Sequence, residues 1–126
     1  MIIGFNERFV PKILSGEKIH TIREDAHNRW SPGRIMNMAT GVRTKKYHEF
    51  ATSICTLTVP IIINPEKERV LIENGSGLVY RYDGVLAFAK NDGFDTLEDF
   101  WKWFHEYQER KLIYWAPLST IGRAKL

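Results

Sequence analysis

Ala51 to Ile63 reads ATSICTLTVPIII, a run rich in β-branched residues with Cys55 among alternating apolar positions, and it reads as a strand. Further strand character lies at Ile2 to Phe5, Lys18 to Arg23, Arg34 to Ala39, Val70 to Glu73, Leu78 to Tyr82 and Leu112 to Leu118, the last stopped by Pro117. Asn74-Gly75-Ser76-Gly77 tolerates positive φ and predicts a hairpin between Val70–Glu73 and Leu78–Tyr82. Helical spacing occurs twice. Phe9, Val10, Ile13 and Leu14 predict a short helix behind Asn6 that ends at Gly16, and Leu97, Phe100, Trp101 and Phe104 predict a second, capped by Asp95 or Thr96. Strands outnumber any crossover helices, so the expected architecture is α+β: a small mixed or antiparallel barrel-like sheet with two flanking helices.

A length of 126 residues suits one domain spanning 1–126, because a second core would leave each half marginal. Thr58 to Ile63 is the longest clearly apolar stretch, is interrupted by Pro60, and falls far short of the roughly 20 residues of a membrane-spanning helix. MIIGFNERF carries no basic leader and no long apolar run, so a cytoplasmic protein without a membrane partner is expected. The single cysteine, Cys55, excludes an intramolecular disulfide and reads as a buried, inert thiol. Net charge is +3, but it is unevenly placed: residues 1–50 carry nine Lys/Arg against five Asp/Glu. A cleft built from that part of the chain attracts anions.

Several chemistries are disfavoured. His20, His27, His48 and His105 have neither cysteine partners nor the H-x-x-x-H spacing of a zinc helix, so no metal is expected. Phosphate-binding and dinucleotide glycine motifs and a G-x-S-x-G elbow are missing, and no cofactor is expected. What stands out is ILSGEKIHTIRED, with Lys18, His20, Thr21, Arg23 and Glu24 close together at a helix-to-strand junction. One reading is an edge strand kept soluble by its charges. The other is a cleft wall, with Lys18 as base or charge stabiliser, Thr21 as nucleophile or ligand contact and Arg23 as an anion clamp. Strict alternation places Lys18 and Thr21 on opposite faces, so they share a cleft only if Lys18 belongs to the turn after Gly16.

Gly16 to Arg23, GEKIHTIR, resembles the G-x-K-x-x-T-x-R signature of ASCH-domain proteins, which have the PUA-like fold. Pro32-Gly33 before a strand, and Ala89 with Asp92-Gly93-Phe94 before a helix, resemble two further family elements in the right order. The resemblance runs from about Phe5 to Phe104. It implies a single PUA-like domain acting on a modified nucleoside or RNA. Bacterial relatives look like amidohydrolases that remove an acyl group from the exocyclic nitrogen of cytidine, and the resemblance implies Lys18, Thr21 and Asp92 as the catalytic set. Here Asp92 stands where those enzymes usually have Glu, and Arg34 follows the Pro-Gly turn in place of an acid. Arg23, His20, Glu24 and Trp30 are candidate ligand contacts, joined by Arg43, Lys45 and Lys46 of the basic segment 41–50. The alternative class is a non-catalytic RNA-binding module that uses this basic segment, followed by a ribonuclease.

Overall fold

The computed structural model describes residues 1–73, 79–81 and 84–118. Among these residues seven strands are formed: β1 (Ile2–Gly4), β2 (His20–Arg23), β3 (Ile35–Thr40), β4 (His48–Asn64), β5 (Arg69–Glu73), β6 (Val79–Arg81) and β7 (Gln108–Trp115). Three α-helices accompany them, α1 (Val10–Ser15), α2 (Val85–Asn91) and α3 (Leu97–Trp103), with a 3-10 turn at Glu7–Phe9 before α1. The result is a mixed α+β domain.

The Ala51–Ile63 segment is the organiser, and it is longer than its sequence pattern predicts. β4 pairs with β3 through its first half, then with β7 from Cys55 to Ile63, and with β5 from Ile61 to Asn64. A register shift between Cys55 and Leu57 marks the change of partner, as expected where a bulge bends a strand. Pro60 sits just beyond the β5 ladder, where no donor is needed on that side. β1 adds to β3 in parallel and β2 adds to β7 antiparallel. Those two outer strands do not pair with each other, so among the described residues the sheet is open rather than closed as a barrel. β5 and β6 pair antiparallel as the hairpin reading predicts, while its turn, 74–77, lies outside the described residues.

The core lies between the sheet and the helices. Met36, Met38, Ile61, Ile63, Leu112 and Ile113 from the strands meet Ile13, Phe88, Phe94 and Phe100, all essentially buried. Thr96 caps α3 by accepting a hydrogen bond from the Asp99 amide, as its sequence predicts. Phe100 and Phe104 are core, whereas Leu97 at the start of the stripe is exposed. Two helices were expected and three α-helices are present among the described residues. Val85–Asn91 was missed because seven residues give too little periodicity to separate a helix turn from an apolar loop. Among the described residues no helix is long and apolar enough to cross a membrane.

Candidate active site

β2 and the turn before it are held in place by helix ends. α1 stops at Gly16, which takes φ +86°, and the Lys18 amide then donates to Lys12 O at 2.9 Å while the Ile19 amide donates to Asn91 O at 2.8 Å. Carbonyls at the C-termini of α1 and α2 are thereby satisfied by one short turn. α2 ends in a Schellman arrangement: Phe94 N donates to Ala89 O at 2.9 Å and Gly93 N to Lys90 O at 3.0 Å. Gly93 takes φ +100°, and a Cβ there would lie 2.8 Å from Phe9 Cδ1 and 3.0 Å from Lys18 Cδ. Only glycine lets the Lys18 side chain pass beneath this helix end.

Lys18 therefore belongs to the turn and not to β2, which resolves the alternation conflict. Its ammonium donates to the main-chain carbonyl of Asp92 and lies 3.4 Å from Asp92 Oδ1. His20 Nδ1 lies 2.9 Å from that same Oδ1, and its ring stacks on Phe88 with centroids 4.8 Å apart. The three side chains are nearly inaccessible, at 2 to 3% exposure. Among the described residues Asp92 Oδ2 makes no hydrogen bond. The Phe9 ring centroid is 4.8 Å from Lys18 Nζ. Burial pushes the Lys18 pKa down to about 8; Asp92 opposes the shift and the nearby Arg23 adds to it.

These groups open into a cavity of about 280 Å³. It lies at the seam between the unpaired outer strands, with Gly4 and Phe5 on one side and Thr21, Ile22 and Arg23 on the other. Arg23 spans the seam: Nη2 donates to Gly4 O at 2.5 Å, Nε donates to Thr21 Oγ1 at 3.2 Å, and the guanidinium lies 4.8 Å from the Phe5 centroid. Burial lowers the Arg23 pKa, with Asp92 opposing. Because Thr21 Oγ1 accepts from Arg23, its own proton is available to the cavity. The far wall is aromatic, with Phe9, Phe94, Phe104 and Trp103. Trp103 is 44% exposed at the rim and packs edge-on against Phe9 and Phe94.

Of the residues singled out from sequence, Lys18, Thr21, Arg23 and Asp92 line one cavity, and His20 supports Asp92 from behind. Glu24 is exposed and does not line the cavity. Trp30 and Arg43 line a separate pocket, and Lys45 and Lys46 stand exposed on the 41–47 turn. Tyr114 packs edge-on against His20, and Trp115 is core. Phe9, Trp103 and Gly93 were not assigned to a site. Trp103 carried a usable signal, since it lies off the apolar stripe of α3 and yet is large and apolar. Cys55 is buried, and burial raises its thiol pKa. Among the described residues no group of His, Cys, Asp or Glu is placed to hold a metal.

Chemically, the cavity offers an amine whose pKa burial lowers to about 8, a carboxyl oxygen, a hydroxyl proton and an aromatic rim. No protein-family model, curated protein or solved structure matches this chain.

Proposed function

We propose that the protein is an ASCH-type amidohydrolase that removes an acyl group from the exocyclic nitrogen of a cytidine derivative, with the open sheet as a variant of the PUA-like barrel. The observation that carries this reading is Lys18: a buried amine with its pKa lowered to about 8, facing a cavity that Thr21 and Asp92 also line. A base poised near the working pH is what proton transfer requires.

In the proposed reaction, the neutral Lys18 amine takes a proton from water as the water oxygen bonds to the acyl carbon. The carbonyl electron pair moves onto its oxygen, where the Thr21 hydroxyl donates to the developing charge. Direct attack by water is favoured over attack by Thr21 because the Thr21 oxygen already accepts a hydrogen bond from Arg23. Asp92 Oδ2 accepts from the exocyclic N–H and orients it. As the intermediate collapses, the C–N bond breaks and the leaving nitrogen takes the proton from Lys18. The products are a carboxylic acid and the free amine, and no cofactor is consumed.

The test is chromatographic assay of acetylcytidine and related acylated nucleosides with wild type and Lys18→Met, each first checked for folding by circular dichroism. Turnover that rises with pH to a plateau above about 8, and is lost in a folded Lys18→Met, is expected. A folded wild type that leaves every acylated nucleoside intact overturns the reading.

A further inference from the structure

A second pocket of about 470 Å³ opens on the same side of β1 as the cavity. It is lined by Ile2, Arg29, Trp30, Val42, Arg43 and Tyr47, together with Met1. Ile2 and Gly4 lie two residues apart on β1, so they share the face opposite the buried Ile3. Ile2 lines this pocket and Gly4 lines the Lys18 cavity. The two are neighbours across Val42, since a Cβ on Gly4 would lie 3.0 Å from Val42 Cγ2.

The pocket's chemistry differs from that of the cavity. Arg29 and Arg43 are both exposed, and among the described residues neither guanidinium has a carboxylate partner or a hydrogen bond. The acid nearest in sequence, Asp25, is already committed: it accepts from the Arg29 amide at 2.7 Å, the Trp30 amide at 3.0 Å and Lys111 Nζ at 3.0 Å. Those bonds fix the backbone that carries Trp30, a buried residue that contributes to the pocket lining. The 41–47 turn is locked by Thr44, whose hydroxyl donates to Gly41 O at 2.6 Å and accepts from the Lys46 amide at 3.1 Å. Arg43 is held there at φ +64°, and Tyr47 is 42% exposed. Two unpaired guanidinium groups beside exposed aromatic surface suit an anion attached to a flat ring.

We propose that this pocket is a second subsite that takes the phosphate of a nucleotide, with Tyr47 supplying a stacking surface, so that the preferred ligand of the Lys18 cavity is a phosphorylated nucleoside. The inference rests on the nucleoside reading of that cavity. The phosphate can belong to a mononucleotide or to the next residue of a single RNA strand. Two arginine contacts to a single strand give a salt slope of about −1.4, or roughly a sevenfold weakening between 50 and 200 mM salt.

The experiment is titration calorimetry on the full chain with inorganic phosphate, cytidine, cytidine 5′-monophosphate and tetracytidylate, for wild type and Arg29→Gln/Arg43→Gln. The phosphorylated probes are expected to bind at least tenfold tighter than cytidine at 50 mM salt. The advantage is expected to disappear in the double variant, whose cytidine affinity stays unchanged. An advantage confined to tetracytidylate assigns the subsite to an RNA strand, whereas equal affinity of the monophosphate assigns it to a mononucleotide. Equal binding of cytidine and both phosphorylated probes, or an undiminished advantage in the double variant, overturns the proposal. Binding needs no turnover, so phosphate preference without hydrolysis rejects only the amidohydrolase, and hydrolysis of nucleosides without phosphate preference rejects only the subsite.

Discussion

Replacing Gly93 by alanine tests whether the close approach of Lys18 to the end of α2 organises the site. Two penalties combine. A non-glycine residue at φ +100° is strained by about 1–3 kcal/mol. The new methyl would also meet Phe9 Cδ1 at 2.8 Å and Lys18 Cδ at 3.0 Å, and forcing a methyl into packed surroundings costs about 1–3 kcal/mol. The reduced freedom of the unfolded chain returns about 0.4–1 kcal/mol, which leaves a net loss of ~1–6 kcal/mol. Gly16 is the matched control, because it has φ +86° but nothing within 4 Å of its Cβ direction. Gly16→Ala therefore carries the strain without the collision. Urea unfolding of both variants beside wild type measures the difference, and Gly93→Ala is expected to be ~1–3 kcal/mol less stable than Gly16→Ala. Because the Lys18 side chain must move aside, hydrolysis in Gly93→Ala is also expected to fall by more than tenfold while Gly16→Ala keeps most of its rate. Equal stability of the two variants would refute the argument that contact, not backbone freedom, dictates glycine at 93.

Three more outcomes follow from the same geometry. Lys18 titrates at about 8 in the folded protein against 10.5 ordinarily, so the unfolded chain binds more protons between those values and stability rises with pH across that window; relative to Lys18→Met, wild type should gain ~2–3 kcal/mol between pH 7 and pH 10, and parallel pH curves for the two proteins contradict this. Trp103→Ala removes an exposed ring from the cavity rim, and loss of one stacking surface, worth about 1–3 kcal/mol, should raise KM by roughly 5- to 150-fold with kcat nearly unchanged; a fall in kcat at constant KM would instead place Trp103 in the chemistry. For Asp25, burial alone would raise the carboxyl pKa, but hydrogen bonds from Trp30, Lys111 and Arg29 outweigh it and hold the group below its ordinary 3.8. Asp25→Ala should then cost ~2 kcal/mol at neutral pH, shrinking as pH falls below 3.8 and the wild-type carboxylate takes up its proton, and thermal melts at pH 7 and pH 3 separate the cases.

The strands and the capped α3 were legible because period-2 and period-3.6 patterns are local. The meeting of Lys18, Thr21 and Asp92 was reached from motif order alone, and its physical basis was invisible in the sequence. It depends on the packing of the Gly93 turn against Phe9 and Lys18 and on the Ile19 amide reaching Asn91 O, contacts between residues far apart along the chain. Phe9 was illegible as a cavity wall for the same reason, and the off-stripe position of Trp103 marked it as unusual without showing what it faces, which is decided by how α3 and α1 pack. Trp30 and Arg43 were grouped with Arg23 as candidate ligand contacts, and nothing in their spacing showed that they line a different pocket from Lys18.

β7 lies between β4 and β2, and it is the only described strand that joins them. β2 carries Thr21 and Arg23, so half of the cavity hangs on a strand that appears more than eighty residues later in the chain. During synthesis the first hundred residues therefore emerge with β2 unanchored and one edge of β4 bare. The site comes into existence only when Gln108–Trp115 slides into that gap, which makes folding slow, strongly non-local and dependent on protection of the waiting edge. The cavity is thus a property of the finished chain, and a ribosome-stalled fragment ending before β7 would have Lys18, Thr21 and Arg23 but no cavity for them to line.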